Sequence, residues 1–169
     1  MNTEKHLFKN ANALQFVNAA NSVFKFRSLM FFQIPLIWFS GIKVRVFERN
    51  SCQIKLPFTR RTKNPFRSVY FAAQCMAAEL STGLMVMAET LESGKKCSML
   101  VTNMQANFVK KADQDIVFTC EPNEIIMNAI QNSIASNEPV KFSLKSVGKM
   151  QDGMVVAEFE FEWSLKIKA

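Results

Sequence analysis

The sequence predicts an α+β domain in which a curved antiparallel sheet wraps one long, buried helix, with an extra helix at the N-terminus. Three observations predict it. Residues 64–91 form a run rich in Ala, Met and Leu, with no proline after Pro65, and such residues favour a helix. Most other apolar segments are short, alternate in polarity and come in pairs around turn residues, as antiparallel hairpins do. The resulting order is helix, two strands, long helix, two strands, helix, two strands, which fits a single α+β layer.

The long helix is expected over Ser68–Leu91 with Ser68 as its N-cap, about 36 Å at ~1.5 Å per residue. Val69, Phe71, Cys75, Met76, Leu80, Leu84, Met85 and Val86 fall on nearly every face of it. A helix that is apolar all round is buried or crosses a membrane. Glu79 interrupts the run at its middle, which favours a core helix carrying one buried or half-buried carboxylate over a membrane span.

Before this helix, Asn10–Phe32 reads as amphipathic, with Phe16, Val17, Ala20, Val23 and Phe24 at helical spacing and Pro35 as its terminator. Phe31–Phe39 reads as an apolar connector packed on the domain. A strand is expected at Ile42–Glu48, with Val44 and Val46 alternating against Lys43, Arg45 and Phe47, and its partner at Cys52–Phe58. Beyond the long helix, Gly94 suits the C′ position. Strands follow at Lys95–Lys110 and Ile116–Cys120, then a helix at Pro122–Ser136 with Pro122 in its first turn. Val140–Lys149 and Met154–Lys168 form a hairpin around Asp152-Gly153. Glu158, Glu160 and Glu162 alternate with Phe159, Phe161 and Trp163, so the last strand has one solvated face. Residues 1–40 are expected as a helix and connector packed on a domain of residues 41–169.

The chain's 169 residues, 49% hydrophobic and 21% charged, suffice for one folded core. Sixteen Phe against one Tyr bring bulk without hydroxyls, suited to a deep core or an acyl pocket. The net charge of +7 would attract nucleic acid, anionic lipid or a phosphorylated small molecule. Five cations and no acid fall between Lys55 and Arg67. No RNA-binding signature or helix-turn-helix pattern accompanies them, so nucleic acid is not the expected partner. Cys52, Cys75, Cys97 and Cys120 show no metal-ligand spacing; no metal site is expected, and they read as reduced, buried thiols of a cytoplasmic protein. His6 is the single histidine, which argues against imidazole acid–base or triad chemistry. The run Leu29–Phe39 is too short to span a bilayer and starts too late for a secretory signal.

A buried helix gripped by an antiparallel sheet resembles the hotdog arrangement, and the residues extend the resemblance over about Gly41–Lys168. In small acyl-CoA thioesterases of the phenylacetate-pathway type, an Asn precedes a segment ending His-Gly-Gly, and an acid follows nine residues after the His. Asn64 stands at the Asn, Tyr70 at the His, Phe71 and Ala72 at the glycines and Glu79 at the acid. The run Val101–Cys120 is similar to the family's long strand, turn and returning strand. The chain also resembles the thioesterase-like hotdog branch known only as a domain of unknown function. The resemblance implies thioester hydrolysis, with Glu79 as general base on water and Asn64 positioning water or carbonyl. Backbone N–H groups near Tyr70, Phe71 and Ala72 would form an oxyanion hole at a helix N-terminus. Arg60, Arg61 and Lys63 would meet coenzyme A phosphates, the coenzyme being part of an acyl-CoA substrate and no separate cofactor being needed. A homodimer or tetramer with sites between subunits is implied. The departures are Phe71 and Ala72, which put side chains where the family has none, and Tyr70, a poor base near neutral pH. A non-catalytic protein that binds acyl or CoA groups, or an assembly module, is the alternative; Glu79 would then pair locally, for instance with a partner's Asn103, Gln105 or Asn107.

Overall fold

A computed structural model describes residues 8–122 and 124–168; His6 lies outside them. Six strands form one antiparallel sheet: β1 (Lys43–Glu48), β2 (Ser51–Leu56), β3 (Cys97–Phe108), β4 (Ile116–Cys120), β5 (Val140–Met150) and β6 (Val155–Ile167). Their order across the sheet is β1-β2-β4-β5-β6-β3, so the longest hairpin partners sit at one side and β3 is an edge. The sheet curves around α4 (Phe71–Glu92), which packs on β2, β4, β5 and β6. This is the hotdog arrangement.

Small residues let the sheet come close to α4. Ala73, Ala77, Ala78, Ser81 and Ala88 are buried along it, between Leu84, Met85 and Val86. Ser81 donates to the Ala78 carbonyl and meets the Ser146 hydroxyl of β5, both at 2.7 Å, so this buried polar pair is satisfied. The helix is long and apolar enough to cross a bilayer, but most of it is buried inside the domain. On the other side of the core, Phe118, Phe159 and Phe161 are fully enclosed and pack ring to ring. The acidic and aromatic alternation of β6 is realised: Phe159, Phe161 and Trp163 face the core.

The N-terminal region departs from the expected single helix. It forms α1 (Ala11–Asn21), α2 (Val23–Gln33) and α3 (Pro35–Ser40). Ser22 is extended at φ −81° and ψ 112° and divides the first two, and Ile34 divides the others. Pro35 opens α3 at its first position, where its missing N–H costs nothing. The expected connector is therefore largely helical. Asn10 caps α1, its Oδ1 accepting from the Asn12 N–H at 2.9 Å. Lys9 and Asn10 N–H groups donate to the Glu92 carboxylate, which ties α1 to the end of α4. The Asn21 amide pairs with both backbone groups of Phe47 at 2.8 and 2.9 Å and covers the free edge of β1.

Three further details differ. A bulge at Arg45 shifts the register between Val44 and Val46, so Val44 and Phe47 are buried rather than Val44 and Val46. The last helix, α5 (Ile125–Ser136), starts three residues after Pro122. Cys52 and Cys120 are free and buried, facing one another across β2 and β4, whereas Cys75 and Cys97 are only half-buried. Gly94 does adopt the left-handed conformation just past α4, at φ 68°.

Gly148 on β5 allows the closest approach in the core. A Cβ there would lie 2.5 Å from Phe118 Cε1 and 2.7 Å from its Cζ, and the enclosed ring cannot retreat. Gly148→Ala is expected to destabilise the domain by about 1–3 kcal/mol through overpacking, read by chemical denaturation.

Candidate functional site

The site is built on the N-terminal turn of α4. The loop before it is anchored by Thr62, whose hydroxyl donates to the Pro57 carbonyl at 2.6 Å and accepts from the Thr59 N–H at 3.0 Å. Tyr70 N–H then donates to the Thr62 carbonyl and Val69 N–H to that of Ala112, both at 2.7 Å. Tyr70 is the N-cap residue, extended at φ −64° and ψ 134°; Ser68 is not. Asn64 explains why. Its Oδ1 accepts from Phe66 N–H, Ser68 N–H and Ser68 Oγ–H at 3.0, 3.2 and 3.1 Å, which commits Ser68 to a turn ahead of the helix.

The Tyr70 carbonyl accepts from the N–H groups of Ala73 and Gln74. Those of Phe71 and Ala72 meet no acceptor among the described residues. Two free donors thus stand at the positive end of a 22-residue helix. A cleft of about 610 Å³ opens beside them, its walls including Asn64, Phe66, Tyr70, Phe71, Gln74 and Phe108. Phe71 lays its ring between Tyr70 and Phe108 at centroid distances of 4.9 and 6.4 Å. The side chain lines the cleft while its backbone N–H stays uncommitted.

Gln74 is a site residue that sequence reasoning did not single out. It is buried, its Nε2 donates to the Val69 carbonyl at 3.2 Å, and its Oε1 has no partner. The signal was a lone amide in an otherwise apolar turn, Ala72-Ala73-Gln74-Cys75-Met76.

Glu79 lies two turns further on, outside the cleft. Between Ala77 and Thr90 only Glu79, Gly83 and Met87 escape burial; with Phe71 and Cys75 they form a stripe at every fourth residue. This stripe looks toward the inner face of β3, where Cys75 Sγ approaches Met104 Sδ at 3.3 Å. No hydrogen bond or ion pair reaches the Glu79 carboxylate among the described residues. Gly83 leaves room for it: a Cβ there would lie 3.1 Å from Glu79 Oε1 and 3.4 Å from the Trp163 ring. Thr82 accepts from Trp163 Nε1–H at 3.2 Å and donates to the Glu79 carbonyl at 2.9 Å, so neighbouring polar groups fix the backbone and leave the carboxylate alone. Burial pushes the Glu79 carboxyl above its usual range. The Cys75 thiol is raised by burial and then by the Glu79 charge.

The expected residues are therefore divided. Asn64, Tyr70 and Phe71 line the cleft, and Ala72 does not. Glu79 is eight residues past Phe71, about 12 Å along the axis. Arg60, Arg61 and Lys63 are exposed in the loop leading to Asn64, whereas Lys55 is paired with Asp115 at 2.7 Å.

No curated protein sequence matches the chain. Solved structures do. A Pseudomonas aeruginosa protein of unknown function aligns over 84% of this chain and 93% of its own, with TM-score 0.72 and 22% identity. A Haemophilus influenzae thioesterase aligns over 86% and 91%, with TM-score 0.64 and 11% identity. A Staphylococcus aureus thioesterase, solved with a glutamine replaced by alanine, aligns over 78% and 98%, with TM-score 0.60 and 16% identity; the same protein was also solved with a glutamate fifteen positions later replaced. At these identities the likeness is one of fold. Residues 24–165 match the family described as a domain of unknown function, DUF4442, and the chain belongs to that family.

Proposed function

We propose that the protein hydrolyses an acyl-CoA thioester as a homodimer. The observation that carries this reading is Glu79: a half-buried carboxylate, raised by burial, without a hydrogen-bond or ion-pair partner among the described residues and seated against Gly83, whose missing side chain makes room for it. A carboxyl raised toward neutrality is suited to take a proton from water. The free N–H groups of Phe71 and Ala72 are suited to a developing oxyanion. Asn64 and Glu79 are fifteen positions apart, the separation of the two residues replaced in the Staphylococcus aureus thioesterase. Arg60, Arg61 and Lys63, next to the cleft in sequence, supply charge for the coenzyme's phosphates.

The 12 Å between acid and donors along one helix bears on the assembly. One chain cannot apply both to a single carbonyl, so Glu79 of one copy acts with the α4 N-terminus of another. Edge strand β3 supports this: its inner face carries Met104 and Phe108 in the open, and its outer backbone groups are free to pair with a second β3. Met104→Lys places a charge on that face and is expected to raise the dimer dissociation constant about tenfold or more, read by light scattering across a dilution series.

Glu79→Gln is expected to lower turnover in a thiol-release assay about a hundredfold to ten-thousandfold in a folded protein. The wild-type rate should climb with pH as Glu79 ionises, above the range of an ordinary carboxylate, and the variant should lose that limb. Stability runs the other way. A carboxyl raised in the folded state contributes stability below its unfolded value and loses it as pH rises through the folded one, so Glu79→Gln gains on wild type in thermal melts as pH increases. Full activity in the variant would remove Glu79 from the mechanism.

Phe71→Pro deletes one free N–H at the first helical position, where proline is tolerated and Tyr70 is already extended. It is expected to cost about a hundredfold or more in turnover, against a smaller loss for Phe71→Ala, which removes the ring and keeps the donor.

The second reading is a protein that binds acyl or CoA groups without hydrolysis. The Tyr70–Phe71–Phe108 row across the cleft favours it. Calorimetric binding of a non-cleavable CoA analogue, with no turnover of a broad acyl-CoA panel, would select it.

A further inference from the structure

Charge is divided unevenly along this chain. From Phe8 to Ala78 there are eleven Lys or Arg and a single acid, Glu48, and α1, α2 and α3 contain no acid at all. Such asymmetry points to an anionic partner. The same region holds the largest apolar side chains left in solvent. Phe24 is 85% exposed, Phe32 78% and Leu36 62%, with Phe31, Ile34 and Phe39 also exposed. Phe26 and Met30 anchor α2 to the core and Ile37 anchors α3, so the helices are fixed while their outer faces are bare. On α2, Phe24, Phe31 and Phe32 fall within about 100° of arc at ~100° per residue, one face of the helix.

Cations are set into this apolar surface. The Arg27 guanidinium lies 5.4 Å from the Trp38 ring centroid, and that of Arg61 lies 5.7 Å from Phe39. Lys25 is exposed on α2. Bare aromatic and aliphatic side chains with Lys and Arg among them suit the boundary between lipid headgroups and acyl chains, and an acid-free surface complements an anionic leaflet. A second copy fits less well, because the like charges of Lys25, Arg27 and Arg61 would meet themselves across a two-fold axis. RNA fits less well too: Val23, Ile34 and Leu36 offer no surface for base stacking.

We infer that α2 and α3 dock the protein on an anionic lipid surface, with Phe24, Phe32 and Leu36 entering the interface and Lys25 and Arg27 meeting lipid phosphates. The protein lies on the membrane and does not cross it. This docking is independent of any hydrolytic activity and leaves α4 in the core.

The test is flotation of the full chain with vesicles of phosphatidylcholine alone or of equimolar phosphatidylcholine and phosphatidylglycerol. Binding is expected to the anionic vesicles only and to weaken as salt rises. Phe24→Ser with Phe32→Ser should lower the bound fraction about tenfold or more. Lys25→Glu, a change at an exposed site that spares the apolar face, should weaken it severalfold. Light scattering and thermal melts should find assembly and stability unchanged in both variants. Equal binding to both vesicle types, no binding, unchanged binding by the Phe variant, an assembly state set by Phe24 and Phe32, or displacement of vesicles by RNA would each overturn the inference.

Discussion

The structure depends on how closely a sheet can approach α4. Alanine, serine and glycine along the helix and at Gly148 on β5 let the strands curl inward until core rings such as Phe118 touch backbone. Close packing of this kind tolerates little displacement. A sheet curled on a helix must leave something uncovered: the helix ends and the side past which its last strand diverges. Here that side is the stripe Phe71, Cys75, Glu79, Gly83, Met87, facing β3, and that end is the first turn with its two free N–H groups. The chemically useful groups lie where the wrapping stops.

The two edges of the sheet are treated differently. At β1 the Asn21 side chain occupies both backbone groups of Phe47, α1 lies alongside, and a bulge at Arg45 twists the strand. These are ordinary protections against edge pairing. β3, twelve residues long, also has a register shift, between Val101 and Asn103, but among the described residues no side chain bonds its backbone as Asn21 bonds that of Phe47, and the strand exposes Leu100, Met104 and Phe108. The two edges therefore differ chiefly in cover: helix and side chain close β1, whereas β3 keeps apolar side chains in solvent.

The architecture was legible because its signals are local and redundant. The Ala- and Met-rich run could hardly be anything but a buried helix, Asp152-Gly153 marks a hairpin, and Glu158–Trp163 alternates without a break. What stayed hidden depends on contacts distant in sequence. Ser22 breaks a pattern that helical spacing carries smoothly from Phe16 to Phe24. The bulge at Arg45 reverses the alternation after it, which no count of period two detects. Ser68 has ideal cap chemistry but is claimed by Asn64 four residues earlier. Gln74 looks like any helical amide until burial strands its Oε1. The spacing of Tyr70 and Glu79 places both on one helix; only the rise of that helix reveals that they cannot serve one carbonyl in one chain.

The contrast between Glu79 and Glu89 bears most directly on what the acid is for. Both sit on α4, ten residues apart. Glu89 is nearly buried and receives Arg49 through two hydrogen bonds, at 3.0 and 3.2 Å. That is the usual remedy for an interior carboxylate, since an unpaired one costs stability. Glu79 receives nothing from the described residues, although Thr82 is one turn away and spends its hydroxyl on the Glu79 backbone carbonyl instead. Burial raises the carboxyl, which suits the proton-accepting role proposed for it. The same helix therefore satisfies one acid and leaves the other poised, and the difference follows from which face of the helix the sheet covers.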